Sequence, residues 1–464
     1  MTTASSINKS QPSFFGHPIG LAILFFTEMW ERFSYYGMRG LLVLFLIAQS
    51  DAGIDSGYGW TRDNALFLYG IYTALVYIMS IPGGIIADKL LGQKKSVMLG
   101  GAFLVVGQFM LAFHAQTLFF TGLGLIIIGV GLLKPNISTM VGGLYSEGDP
   151  RRDSGFTIFY MGINIGAFLA GIIVSVVAAT YGWHWGFTLA GFGMLLGQFV
   201  FIWGQKYLTH VGNMETKEEK AQRKIDNGKE GFSKKEWDRI LVLGISFIIV
   251  IVFWMAFEQA GGLMNIYTDL ITDRNIGSYE VPAAVFQSLN AGYIMIFGGI
   301  VASLWIYLSK KGIKLSAITK MGLGTVIMGL GYLFMVAASN EAEYVRGAEE
   351  VITVTKKSGI HWLLLAYFFH TIGELFLSPV ALSFITKVAP KKIVASMMGV
   401  YFAATGLANF LASWVGRQAE SLGETTVFWG LVIFTVSFGL ILILFSKHLR
   451  KLTHGAEDDV VAAG

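Results

Sequence analysis

Apolar runs of about 20 residues recur along this chain from end to end, separated by short clusters of charge or of Gly, Pro and Asn. Each run is long enough to cross roughly 30 Å of hydrocarbon as a helix. Breaking the chain at those clusters predicts twelve spans, at 17–48, 64–88, 96–113, 117–145, 154–179, 184–206, 239–269, 282–309, 315–338, 360–387, 391–417 and 425–446. Composition agrees: 54% of the 464 residues are hydrophobic and only 14% charged, where a soluble domain would carry charge nearer a quarter. The expected class is an all-α polytopic membrane protein.

Most of the 34 Lys and Arg residues fall at the N-terminus, in the even-numbered loops and at the C-terminus. The positive-inside rule then places both termini in the cytoplasm. Residues 1–16 are polar and Ser/Thr-rich, without a basic n-region or a small-residue cleavage site, so the first apolar segment is expected to remain as a helix. A compact multi-pass chain with short loops fits a bacterial inner membrane. The longest polar stretch, 207–238, falls at the middle and divides the chain into 1–206 and 239–464, six spans in each. Two six-helix halves around a midplane site are the plan of a major facilitator transporter.

The spans are not purely oily. "TEMWERFSYYGMRG" (27–40) carries Glu28, Glu31, Arg32 and Arg39 into the first of them. At 100° per residue Glu28, Arg32, Tyr35 and Arg39 fall within roughly 60° of one another. Insertion costs of roughly 2.5–3.5 kcal/mol per charge sum to the order of 10 kcal/mol unless the groups are paired or hydrated. One structural ion pair would need two charges, so four point to a stripe facing a watery path. Span 4 adds Lys134 in "LLKPN", where Pro135 should loosen the helix. Later spans add Asn164, Trp254, Glu258, Asn290, His370, Glu374, Tyr401 and Thr405.

Read singly, most of these are helix-to-helix glue, and His370 reads as a packed, hydrogen-bonded residue. As a set they place carboxylates and cations on helices of both halves. Fixed cations suit an anionic group of a substrate and a carboxylate suits an ammonium, which points to a carrier of zwitterions driven by protons. The chain has no cysteine, and neither a serine-nucleophile elbow nor HExxH or zinc-ligand spacing is present. An enzyme, a metal, a cofactor and a nucleic-acid partner are therefore not expected; the coupling ion would be the proton.

"ExxERFxYYG" (Glu28 to Gly37), "GGIIADKLLGQKK", "KPN" (134–136), "FTIFYMGINIGA", "FWMAFEQ", "FQSLN" and "GELFLSPV", in that order, resemble the conserved blocks of the proton-dependent oligopeptide transporter (POT/PTR) family within the major facilitator superfamily. The resemblance runs from span 1 to span 11. It implies import of di- and tripeptides, and of peptide-like drugs, by proton symport and alternating access. Arg32, Lys134 and Tyr36 would hold the peptide carboxylate, and Asn164, Asn290 and Glu374 its α-ammonium. Tyr35, Tyr72 and Trp254 would line side-chain pockets, with Tyr401 and Thr405 on span 11 beside them. Glu28, Glu31, Arg32 and Glu258 would take part in proton coupling, with Arg39 pairing Glu258 when one gate closes, and Asp88 would steady the cytoplasmic gate. Two departures stand out: "GVYF" puts Tyr401 where many members have Trp, and the linker 207–238 runs directly from span 6 to span 7 without the extra helix pair of many bacterial members. The rival reading on the same fold is a carrier of nitrate or another small organic anion, which would have no need of an amine-binding end.

Overall fold

The fold was read from a computed structural model. It describes residues 13–50, 53, 56–146, 149, 151–214, 232–313, 315–346, 352–390 and 393–456. The greater part of the expected central linker, 215–231, lies outside the described residues, as do Lys9, Lys314, Lys391 and Lys392.

Among the described residues eleven helices are long and apolar enough to cross a membrane: α2 (Arg62–Leu91), α3 (Gln93–Leu111), α4 (Gln116–Gly143), α5 (Arg152–Tyr181), α6 (Trp183–Tyr207), α7 (Lys234–Leu270), α8 (Ala283–Lys310), α9 (Ala317–Glu341), α10 (Ile360–Val388), α11 (Ser396–Leu422) and α12 (Glu424–Leu452). Preceding them, α1 (Ile19–Ile47) is 29 residues long. It differs from the others in holding Glu28, Glu31, Arg32 and Arg39 within little more than three turns. Most boundaries fall close to the sequence expectation, but α12 runs six residues further, carrying Lys447, Arg450 and Lys451 on its last turns. Basic side chains there complement the helix dipole.

The pairwise packing repeats with an offset of six helices. In the first bundle α3 packs on α4 and α6, and α1 on α5 and α6; in the second α9 packs on α10 and α12, and α7 on α11 and α12. Across the middle, α2 meets α11 and α5 meets α8, the two crossings that a twofold relation between bundles would exchange. Buried apolar side chains separate the same way. One cluster is drawn almost wholly from 21–211 and a second from 242–456. This is the major facilitator arrangement.

Close approach depends on missing side chains. A Cβ at Gly83 on α2 would come 2.0 Å from the Gly131 carbonyl oxygen on α4, and one at Gly70 would come 2.2 Å from Cβ of Ser413 on α11. Small residues are what let helix backbones meet where lipid supplies no hydrophobic drive between helices.

Two irregularities position the site. The path of α2 turns at Met79 and ends in a π-type turn, Ala87–Leu91, where Asp88 is exposed. In α7, which the sequence reads as unbroken, the α-helix stops at Phe257, tightens to a 3-10 turn over Glu258–Gly261, and resumes at Leu263. The Gly261–Gly262 pair permits the break. Tyr332 donates to the Ala256 carbonyl (2.5 Å) and Gln259 to that of Met255 (3.2 Å), so carbonyls before the break keep partners, and Gln259 also donates to the Ala412 carbonyl on α11 (2.8 Å). By contrast Pro135 lies inside a continuous α4.

Candidate functional site

Three groups of polar side chains lie in the interior, and the first belongs to one bundle. Glu28, Glu31 and Arg32 are each at most 3% exposed. The Arg32 Nε donates to Glu31 and stands 3.1 Å from Glu28 Oε1, one turn earlier. Lys134 sits near enough to all three to feel their charge. Its ammonium lies 4.0 Å from the centre of the Tyr77 ring on α2, a cation–π contact. Two carboxylates and two cations thus gather within the first bundle, where mutual neutralisation offsets their burial.

The second group joins the bundles. Arg39 on α1 donates through Nη2 to Glu258 at the break in α7, and through Nε to the Tyr69 hydroxyl on α2 at 2.6 Å. Both members of the ion pair are buried. Glu258 stands where the α-helical part of α7 ends, so the ion pair meets α7 at its break. Nearby, Asn265 of α7 donates to the Gly40 carbonyl (3.0 Å) and Ser413 of α11 to the Leu66 carbonyl (2.5 Å). At the rim, Arg417 on α11 grips both oxygens of Asp63 on α2, at 2.5 and 2.7 Å, and Arg62 stands 3.7 Å from Glu420. The bundles are therefore latched together at the end where α1 finishes and α2 begins.

The third group faces across the bundles, with Asn290 and Glu374 in the second and Asn164 in the first. Asn290 on α8 donates to Glu374 Oε2 on α10 at 2.7 Å and to Thr371 at 3.2 Å. Asn164 on α5 gives its amide hydrogen to the Tyr160 carbonyl one turn back (3.0 Å), which leaves its side-chain oxygen as an acceptor. A carboxylate facing two amide side chains is a cradle for an ammonium group.

A cavity of about 120 Å³ lies between the second and third groups. Its walls bring together Tyr36, Arg39, Asn164, Asn290 and Glu374, all expected from sequence, with Tyr160, Gln287 and Tyr367. Arg32, Tyr35, Tyr72, Lys134, Trp254, Tyr401 and Thr405 are not on its wall. Of these, Tyr35, Tyr72, Tyr401 and Thr405 are buried among helices, Thr405 donating to the Tyr401 carbonyl at 3.0 Å. Arg32 and Lys134 belong to the first group instead. Asp88 lies on the exposed turn ending α2 and lines no wall of this cavity. His370 is packed as expected, 4.5 Å from the Tyr332 ring, but neither ring nitrogen has a hydrogen-bond partner among the described residues, contrary to the hydrogen-bonded reading. Among the described residues no group of His, Asp or Glu is disposed to hold a metal.

Sequence reasoning missed Tyr69, Tyr77, Asp63 and Arg417 as working residues. Tyr69 and Tyr72 lie one turn apart on α2, a stripe that was legible. The pairing of Asp63 with Arg417 spans 354 positions and carries no local signal.

The model of the POT family matches residues 94–227 and 214–428. Among curated proteins, the chain is 32% identical to peptide transporter YePEPT of Yersinia enterocolitica, with 97% of this chain and 98% of that one covered. It is 31% identical to the di-/tripeptide transporter of Lactococcus lactis subsp. lactis, covering 96% and 99%. Among solved structures, a mutant of peptide transporter POT in complex with alafosfalin superposes with a TM-score of 0.84 at 33% identity, covering 95% and 97%. A POT family transporter in complex with 5-aminolevulinic acid gives 0.83 at 32%, covering 95% and 98%.

Proposed function

The chain belongs to the POT family, and from that premise we propose that it is a proton-coupled symporter that imports di- and tripeptides across a bacterial inner membrane by alternating access. In this reading α1 is a twelfth span, both termini are cytoplasmic, and the latched end faces outward.

The observation that carries the reading is the single cavity shared by Glu374 and Asn290 of one bundle with Tyr36, Arg39 and Asn164 of the other. An amine acceptor and a cation face each other across the interface that must open and close. A peptide carries its two charges at opposite ends and satisfies both. An anion alone would leave Glu374 facing like charge, so the nitrate reading is the weaker one. Arg32 and Lys134, paired with Glu28 and Glu31, provide the cation reserve toward which a carboxylate would move as the bundles rearrange. Proton arrival at Glu258 would discharge the partner of Arg39 and release the latch, coupling the gradient to the gate.

The relatives support the peptide end of this reading: similar proteins are named as peptide and di-/tripeptide transporters, and a similar structure holds alafosfalin. The test is uptake of labelled dialanine into proteoliposomes, with and without an inward proton gradient and an inside-negative potential. Accumulation that a protonophore collapses, and that unlabelled dipeptide but not nitrate inhibits, is the expected result. Folded protein that takes up nitrate and not dialanine would overturn the proposal.

A further inference from the structure

A second cleft, of about 530 Å³, lies between the bundles and is walled by α5, α8, the start of α9 and α10. On α8 it runs from Ile294 to Trp305 and on α10 from Leu375 to Lys387. At 1.5 Å per residue these stretches are about 16 and 18 Å long, close to half of a roughly 30 Å hydrocarbon core. The cleft is therefore about one leaflet deep.

Its two ends differ in chemistry. At the inner end Tyr160 and Ile294 also wall the central cavity. At the other end stand Lys320 and Lys387, with the Lys320 ammonium 4.7 Å from the centre of the Trp305 ring. Between them the wall is mostly aliphatic, and Gly298 and Gly299 leave the face of α8 open. No Asp or Glu is among the lining residues.

We propose that this cleft binds an anionic phospholipid, with one acyl chain lying along α8 and α10 and its headgroup held by Lys320 and Lys387. The aliphatic wall offers few partners to a peptide backbone, whose burial there would be costly, whereas a hydrocarbon chain has no polar groups to satisfy. Two ammonium groups and an indole at the outer end match the level of a lipid headgroup. Because α5 comes from one bundle and α8 and α10 from the other, a chain seated between them holds this end open. The lipid thereby favours the arrangement in which the opposite end is latched.

Trp305 gives a direct readout. The full chain is reconstituted in phosphatidylcholine with rising fractions of phosphatidylglycerol or phosphatidylcholine bearing brominated acyl chains, and the quenching absent from Trp305→Phe is taken as the Trp305 component. That component should be quenched at a fivefold or lower fraction of brominated phosphatidylglycerol than of brominated phosphatidylcholine. The preference should vanish in Lys320→Gln/Lys387→Gln and survive in Lys320→Arg/Lys387→Arg, which keeps the charge. Millimolar inorganic phosphate should not displace the lipid. Equal quenching by the two lipids, a preference unchanged in the glutamine variant, or displacement by phosphate would each overturn the proposal.

Discussion

Arg39 on α1 and Glu258 at the break in α7 form a buried ion pair that ties one bundle to the other, and Tyr69 on α2 holds the guanidinium in place from the side. A pair of this kind adds little net stability, because desolvation of both charges offsets their attraction. Its sensitivity lies elsewhere. Removing the charge of one partner leaves the other buried alone, at a cost of about 3–5 kcal/mol. That is enough to move a two-state equilibrium by about two to nearly four orders of magnitude.

Glu258→Gln should therefore separate exchange from accumulation. The amide keeps the shape of the carboxylate and removes its titration. Counterflow of labelled dialanine against unlabelled dialanine should persist, while uptake driven by a proton gradient should fall to the level of the equilibrated control. A variant that still concentrates peptide would show that Glu258 is not the coupling carboxylate.

The rim pair should behave differently. Asp63 and Arg417 make a bidentate contact, but their side chains are 38% and 30% exposed. Exposed pairs contribute about 0–1 kcal/mol. Asp63→Asn should change the separation of α2 and α11, followed by spin-label distances at that end, by no more than about fivefold in population. The exchanged pair Asp63→Arg/Arg417→Asp should restore the original distribution. A shift as large as that of Glu258→Gln would mean that the rim pair carries the latch.

Packing across α2 offers a third comparison. At Gly70 an added Cβ meets the Ser413 side chain of the opposite bundle, whereas at Gly83 it meets the Gly131 backbone within the same bundle. Overpacking costs about 1–3 kcal/mol in either place, but it acts on different equilibria. Gly70→Ala should open the latched end with little loss of thermal stability, and Ser413→Gly should rescue it. Gly83→Ala should lower the midpoint of thermal unfolding, measured by intrinsic fluorescence, and Ser413→Gly should not rescue it.

The helices were legible because membrane spans announce themselves by length and composition. The division into two bundles followed from one charged stretch and the count of spans. Within the site, Glu28, Arg32 and Arg39 were legible because an ionisable group in an apolar run has few innocent readings. What the sequence hid was geometry between distant positions. Glu258 reads as one residue of a continuous helix, whereas the α-helix ends beside it, and its pairing with Arg39 was legible only through the family resemblance. Tyr77 looks like any interfacial aromatic until Lys134 is found over its ring. His370 carries a polar side chain that ordinarily finds a partner, and here aromatic packing against Tyr332 takes that place.

Glu374 provides the sharpest test of how the substrate is oriented. Its Oε2 is held by Asn290, and both face the cavity together with Asn164. A hydrogen bond to a charged group is worth about 1.5–3 kcal/mol, or roughly 10- to 150-fold in affinity. Glu374→Gln should weaken competition by dialanine within that range. It should leave the much weaker competition by N-acetyl-dialanine nearly unchanged, since that ligand has no ammonium to lose. Measuring both ligands in the same proteoliposomes separates loss of the amine contact from general damage to the cavity. Equal weakening of the two would mean that Glu374 shapes the cavity as a whole and that the amine is held elsewhere.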